Sequence, residues 1–199
     1  MAVLSFLKKR KKKQVTIGIL GQVNAGKTTL ANCFSLDFTG ERMGKVSSVP
    51  HETRELTERK MNFKSNGHTL QLNLVDTPGI ASTIDYRNFL EHGLTRKEAI
   101  QRAKEATQGV VKAIQSLDKL DAAVVVVDSS TQPFNQINWT IVGNLESKKI
   151  PIIVAANKTD LPESDASLVS DLFEKDVISI SALKNEGIDE LYNAITAIF

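Results

Sequence analysis

A chain of 199 residues with 41% hydrophobic and 24% charged residues suits one globular domain and is long enough to bury a sizeable core. No run of 18 apolar residues occurs, which excludes a transmembrane helix, and the single cysteine, Cys33, excludes an internal disulfide and fits a reducing cytosol. The net charge of +2 hides an asymmetry: residues 8–13 read KKRKKK, and setting them aside leaves 19 basic against 23 acidic residues, a body of −4 with no sign of a nucleic-acid-binding surface.

The first 13 residues, MAVLSFLKKRKKK, place an apolar patch before a basic run. A secretory signal has the opposite order and a longer apolar core. Three readings stay open for this tail. It is a solvated extension, or a weak hold on an anionic membrane through Val3, Leu4, Phe6 and Leu7 with the lysines at the headgroups, or an RNA contact. The expected location is the cytoplasm, with the tail offering a peripheral membrane hold.

VTIGIL (15–20) reads as a buried strand. Directly after it, GQVNAGKTT (21–29) places Gly21, four residues, then Gly26, Lys27 and Thr28, the spacing of a phosphate-cradling loop. The two glycines let the backbone curl so that successive N–H groups of Gln22, Val23, Asn24, Ala25, Gly26, Lys27, Thr28 and Thr29 point inward. That nest and the helix expected from residue 27 suit a polyphosphate. Lys27 is expected at the β and γ phosphates and the Thr28 hydroxyl at Mg²⁺.

KMNFK (60–64) and TLQLNLV (69–75) flank Asn66-Gly67, a hairpin signal, and the second run alternates Leu70, Leu72 and Leu74 with polar residues. DTPG (76–79) follows it. Asp76 is expected to hold Mg²⁺ through water and the Gly79 N–H to contact the γ-phosphate. AAVVVVD (122–128) and IPIIVAA (150–156) are continuous apolar runs, the mark of parallel strands covered on both faces, and VISIS (177–181) is the last strand. Helical patterns lie near 27–35, 95–120, 134–148, 164–173 and 187–198. The alternation predicts an α/β fold, a three-layer sandwich around a mostly parallel sheet with one antiparallel hairpin strand.

NKTD (157–160) and SALK (181–184) choose the base. Asp160 can accept from guanine N1–H and the 2-amino group. Adenine lacks that donor pair and would leave the carboxylate unpaired. Asn157 can tie this loop to the phosphate loop and meet the base edge, and the Lys158 stem can cover the base face. Ser181, Ala182 and Leu183 line the other side, with the Ala182 N–H as a donor to guanine O6. Each motif ends a predicted strand, where open α/β sheets bind ligands.

With these motifs in this order the chain resembles a translation-factor-class GTPase of the Era/TrmE branch, over residues 14–199. The resemblance implies a P-loop fold with six strands and a Mg²⁺-dependent GTPase that switches between GTP and GDP states. In the family a threonine in a P-x-x-T pattern ligates Mg²⁺ and contacts the γ-phosphate. VPHETRE (49–55) puts Thr53 there, with Thr57 as the fallback. Ras-like relatives carry a water-orienting glutamine where this chain has Ile80, a side chain that cannot hold water. Asn24 stands where potassium-activated relatives carry an asparagine. Either its amide oxygen ligates K⁺ beside the phosphates, or it shapes the loop locally. His68 and His92 have no metal-ligand spacing, His51 beside Thr53 is either bland or within approach of the γ-phosphate, and Glu52 reads as solvated rather than as a water-positioning group.

Residues 80–121 are unusually long for this position, so 14–199 reads as one G domain with a helical insertion at about 80–120. Thr95 and Glu98 open the long helix with a capping box. Ala99, Ala103, Ala106, Val110, Ala113, Leu117 and Leu120 form a stripe that packs on the sheet at its C-terminal half. The alanine-rich half faces the same core, an effector, or a second copy in a GTP-dependent pair. Two competitors stand beside the enzyme: a GTP-regulated recruitment module with negligible turnover, and a P-loop ATPase or nucleotide kinase. Partner-free turnover separates the first; Asp160 and the lack of a second substrate domain disfavour the second.

Overall fold

The computed structural model describes residues 14–45, 55–65, 68–79, 84–174 and 176–199. Thr53, His51, Glu52, Ile80, the Asn66-Gly67 turn and the tail lie outside the described residues.

Six strands form one sheet in the order β2-β3-β1-β4-β5-β6. They are β1 (Gln14–Leu20), β2 (Thr57–Ser65), β3 (His68–Asp76), β4 (Ala122–Asp128), β5 (Ile152–Asn157) and β6 (Ile178–Ser179). Only β2 runs antiparallel, paired with β3 from Thr57↔Asp76 to Ser65↔His68. The other neighbours are parallel. β4 is buried at all seven positions, as its continuous apolar run requires.

The helices are α1 (Lys27–Thr39), α2 (Tyr86–Leu90), α3 (Arg96–Ser116), α4 (Gln136–Ser147), α5 (Ala166–Phe173) and α6 (Ile188–Ile198). One sheet face packs Ile17, Ile19, Leu74, Val124 and Val126 against Leu30 and Phe34 of α1 and Leu191 and Ile195 of α6. Tyr192 stands edge-on to Phe34, ring centroids 4.8 Å apart, and its hydroxyl donates to Asp37 (2.6 Å). The other face packs Val75, Val125, Val127 and Val154 against α4, α5 and Leu117 and Leu120 beyond α3. Gly18 lets Leu120 lie on the sheet, since a β-carbon there would stand 2.5 Å from a Leu120 methyl.

The capping box of α3 is present: Thr95 N donates to the Glu98 carboxylate (2.9 Å) and Glu98 N to the Thr95 hydroxyl (3.4 Å). Of the readings open for the alanine-rich half, the structure supports burial, against α2 rather than the sheet. Ala99 and Ala106 are fully covered, packed with Phe89 of α2 and with Ile84, Tyr86 and Leu94. α2, a five-residue helix capped by Asp85, escapes the sequence pattern because it is too short to show a period. The long helix therefore packs Val110 toward the sheet core and Ala99 and Ala106 under α2, with Ala103 and Val110 only half-buried.

Candidate functional site

The loops after β1, β3, β5 and β6 meet at the carboxyl edge of the sheet. Gly21 is required by space, because a β-carbon would lie 2.3 Å from the Val126 carbonyl oxygen. Asn24 has φ 62°, the left-handed conformation that asparagine tolerates, and Gly26 has φ 94° at the start of α1. Lys27 is buried, and its ammonium donates to the Gln22 carbonyl (2.7 Å) across the loop. Burial lowers its pKa to about 8, against the raising effect of nearby Asp76.

Asp76 ends β3 beside Ile19 of β1. It accepts from the Thr28 hydroxyl through Oδ2 (2.8 Å), while its Oδ1 is buried without a hydrogen-bond partner. Burial raises its pKa despite the Thr28 bond and Lys27. A carboxylate oxygen left over in a buried place beside a hydroxyl and an ammonium is what a divalent cation would satisfy. Among the described residues no group of three His, Cys, Asp or Glu side chains could hold a metal. Mg²⁺ asks less of the protein, because one or two carboxylates with substrate phosphates suffice. The Thr77 hydroxyl donates to the Ile19 carbonyl (2.7 Å) and fixes the turn. Gly79 then lies on the phosphate loop, where a β-carbon would come within 2.8 Å of Val23 Cα. Thr57 opens β2 opposite Asp76 in the ladder.

Asn157 joins three loops. Its Nδ2 donates to the Ala25 carbonyl (2.8 Å) and its Oδ1 accepts from the Ala182 N–H (3.0 Å). The tie to the phosphate loop is as expected. The Ala182 N–H, expected to face guanine O6, donates to Asn157 instead. Asp160 accepts from the Ser181 hydroxyl (2.7 Å), which is the main cause of its lowered pKa. Asp160 is partly exposed rather than buried. The Lys158 ammonium donates to Asp128 (2.5 Å), and Leu183 is 80% exposed at the rim.

Two neighbours of Thr28 and Asp76 were not picked out by motif. Asn32 of α1 is buried and accepts from Met43 N (2.7 Å) and Gly44 N (3.0 Å) while donating to the Gly44 carbonyl (2.9 Å). Gly44 is thereby held so close to Thr28 that a β-carbon would stand 3.0 Å from its methyl and 4.0 Å from Asp76 Oδ2. The signal in the sequence was an asparagine set among Leu30, Ala31 and Phe34 on the core face of α1.

The sequence model for 50S ribosome-binding GTPases matches residues 16–158. The chain is 32% identical over 189 residues to the tRNA modification GTPase MnmE of Lachnoclostridium phytofermentans, covering 94% of this chain and 35% of that protein. It is 30% identical over 179 residues to GTPase Era of Ruminiclostridium cellulolyticum, covering 87% and 51%. The chain thus spans about a third to a half of the length of these curated relatives. In fold it is similar to an Aquifex aeolicus Era variant bound to GDP·AlF4⁻, with a TM-score of 0.72 at 22% identity over 94% of this chain and 57% of that one. A structure of Era with MgGDPNP and a 16S ribosomal RNA segment gives 0.69 at 24%, with the same coverage. The matched span carries the phosphate loop, DTPG and the first two residues of NKTD, and the chain belongs to the family of 50S ribosome-binding GTPases.

Proposed function

We propose that the chain binds GTP with Mg²⁺, hydrolyses it to GDP and phosphate, and acts as a nucleotide-dependent switch in the cytoplasm. The observation that carries this reading is Asn157. One side chain from the NKTD loop holds both the phosphate loop and the SALK loop, so base and phosphate subsites form one cradle. Backbone N–H groups from Gly21 to Thr29 would wrap the phosphates, with Lys27 exchanging the Gln22 carbonyl for phosphate oxygens. Thr28, Asp76 and, by family resemblance, Thr53 would hold Mg²⁺, which neutralises charge on the β and γ phosphates when bound. The buried Oδ1 of Asp76 supports that assignment. Gly79, lying on Val23, would offer its N–H to the γ-phosphate. Asp160 would accept from the guanine edge and Lys158 would cover its face, with Ser181, Ala182 and Leu183 closing the side.

Isoleucine at position 80 cannot orient a water molecule. We propose that K⁺ at Asn24 supplies charge stabilisation in place of an arginine finger. The exposed side chain at the crest of the loop supports this, although its left-handed backbone is by itself a reason for asparagine. GTP turnover by the purified protein, in matched KCl and NaCl with Mg²⁺, tests both. K⁺-stimulated release of phosphate that Asn24→Ala abolishes is the expected result. Absence of GTP binding would overturn the first reading, and equal rates in the two salts the second.

A second reading makes the chain a recruitment module whose turnover awaits a partner. Ile100, Val111 and Ile114 are exposed along α3 and offer a place for a protein effector or a second copy. The tail offers one for RNA or an anionic membrane, and a solved Era in complex with 16S ribosomal RNA supports RNA first. Loss of co-sedimentation with ribosomal subunits on deleting residues 1–13 is the expected result. Unchanged co-sedimentation would remove RNA contact from the tail.

A further inference from the structure

The last residue of β4, Asp128, lies opposite Asn157 in the parallel ladder. It is 5% exposed and both carboxylate oxygens are engaged. Oδ1 accepts from Ser130 N (3.0 Å) and the Ser130 hydroxyl (2.6 Å), and Oδ2 from the Lys158 ammonium. Ser129, the next residue, gives both its hydroxyl (2.6 Å) and its N–H (3.0 Å) to the Asn157 carbonyl. Two consecutive residues at the end of β4, Asp128 and Ser129, therefore bracket two consecutive residues at the end of β5, Lys158 and Asn157, with Ser130 steadying Asp128. Lys158 needs the bracket: its φ is 70°, a left-handed backbone that a side-chain-bearing residue adopts at a cost.

We infer that Asp128 is a positioning residue for guanine-nucleotide recognition, holding Lys158 so that its stem stands over the base. An ammonium anchored on a buried carboxylate cannot swing into solvent, because leaving would strand the buried charge. A lysine on its own is a long and mobile cover, and ordering it at each binding event costs side-chain entropy. The Asp128 anchor meets that cost in the folded protein before nucleotide arrives. The adjacent residues keep their own tasks: Asn157 reaches the phosphate loop and Asp160 the base edge. The bracket acts at the base, so GTP and GDP gain from it equally.

This assignment rests on the guanine-nucleotide reading, and the test separates the two. Fluorescent GDP and GTP analogues would be titrated into wild type, Asp128→Asn, Lys158→Met and the double variant, with kcat measured at saturating GTP. Asp128→Asn should weaken both nucleotides by the same factor, roughly tenfold to a hundredfold for one charge-assisted bond. The kcat should stay within about twofold, since only uniform binding is lost. The double variant should bind as Lys158→Met does, because without the ammonium Asp128 has no link left to the side chain over the base. Multiplying losses in the double variant, unchanged affinity in Asp128→Asn, or a loss confined to GTP would overturn the assignment. If Asp128→Asn alone does not fold, the neutral double variant against Lys158→Met still decides. Wild type that binds neither nucleotide would sink the guanine reading itself; wild type that binds while the cycle fails sinks only the role of Asp128.

Discussion

The base end of the cradle is cross-linked by side chains that reach across the chain. Asn157 bonds to Ala25 and Ala182, Ser181 to Asp160, and Ser129 to the Asn157 carbonyl. The end around Thr28 and Asp76 is held by Thr28 to Asp76, Thr77 to Ile19, and Asn32 to the Met43–Gly44 backbone. One end spends its polar groups on itself, and the other keeps a buried carboxylate oxygen of Asp76 in reserve. The proposed switch would use this contrast. The grip on the base must be the same for GTP and GDP, while the third phosphate is read where bonds remain to be made.

The sharpest way to break the comparison is Asp160→Asn. Turning an acceptor-only carboxylate into an amide points a donor at the guanine N–H groups. Affinity for GTP and GDP should fall together by roughly a hundredfold to a thousandfold, as expected for two charge-assisted bonds. A loss below about tenfold in a nucleotide titration would remove Asp160 from the base site. Asn157→Ala should act on the fold as well, because it orphans the Ala25 carbonyl and the Ala182 N–H in a buried place. Urea unfolding should show a loss of about 2–4 kcal/mol. A loss under about 0.5 kcal/mol, the size of an ordinary surface change, would mean the loops do not depend on this tie.

Asn32→Ala should separate the two ends. Gly44 would lose its anchor beside Thr28, and stability should fall by about 1–3 kcal/mol. GTP should lose affinity relative to GDP, because only the end around Thr28 and Asp76 is disturbed. Equal losses for both nucleotides would contradict the division. Lys112→Ala removes an exposed pair with Glu55, 3.3 Å apart, and should change stability by less than about 1 kcal/mol. The smallest effect concerns Glu98. Bonds from the Thr95 hydroxyl and N–H hold its pKa below the ordinary glutamate value, so its support of α3 is present above that value and is lost as pH falls through the lowered one. NMR titration should place the Glu98 midpoint lower in wild type than in Thr95→Ala; equal midpoints would deny the capping box in solution.

Most of the sheet was legible in the sequence because its signals are local. Six apolar residues in a row at 122–127 mark a strand covered on both faces, and the structure places β4 at Ala122–Asp128. Alternation in TLQLNLV marked β3, and Thr95 with Glu98 marked the start of α3. The cradle motifs were legible because they join a strand end to a fixed spacing of glycine, lysine and hydroxyl residues. Asn32 and Asp128 were not read, since a single polar residue at a helix face or a strand end carries no spacing of its own. α2 was missed because five residues are too few for a period, and its cover over Ala99 and Ala106 was missed with it.

The sequence by itself determined the strands, the longer helices and their order, and which loops are expected to carry phosphate and base chemistry, because these depend on neighbours a few residues apart. Only the tertiary structure decided who bonds to whom. The Ala182 N–H turns to Asn157, the Lys158 ammonium to Asp128, and the alanine stripe of α3 to Phe89. Each of these choices is made by a buried group seeking the partner that packing brings within reach, and that partner lies 10 to 30 residues away along the chain.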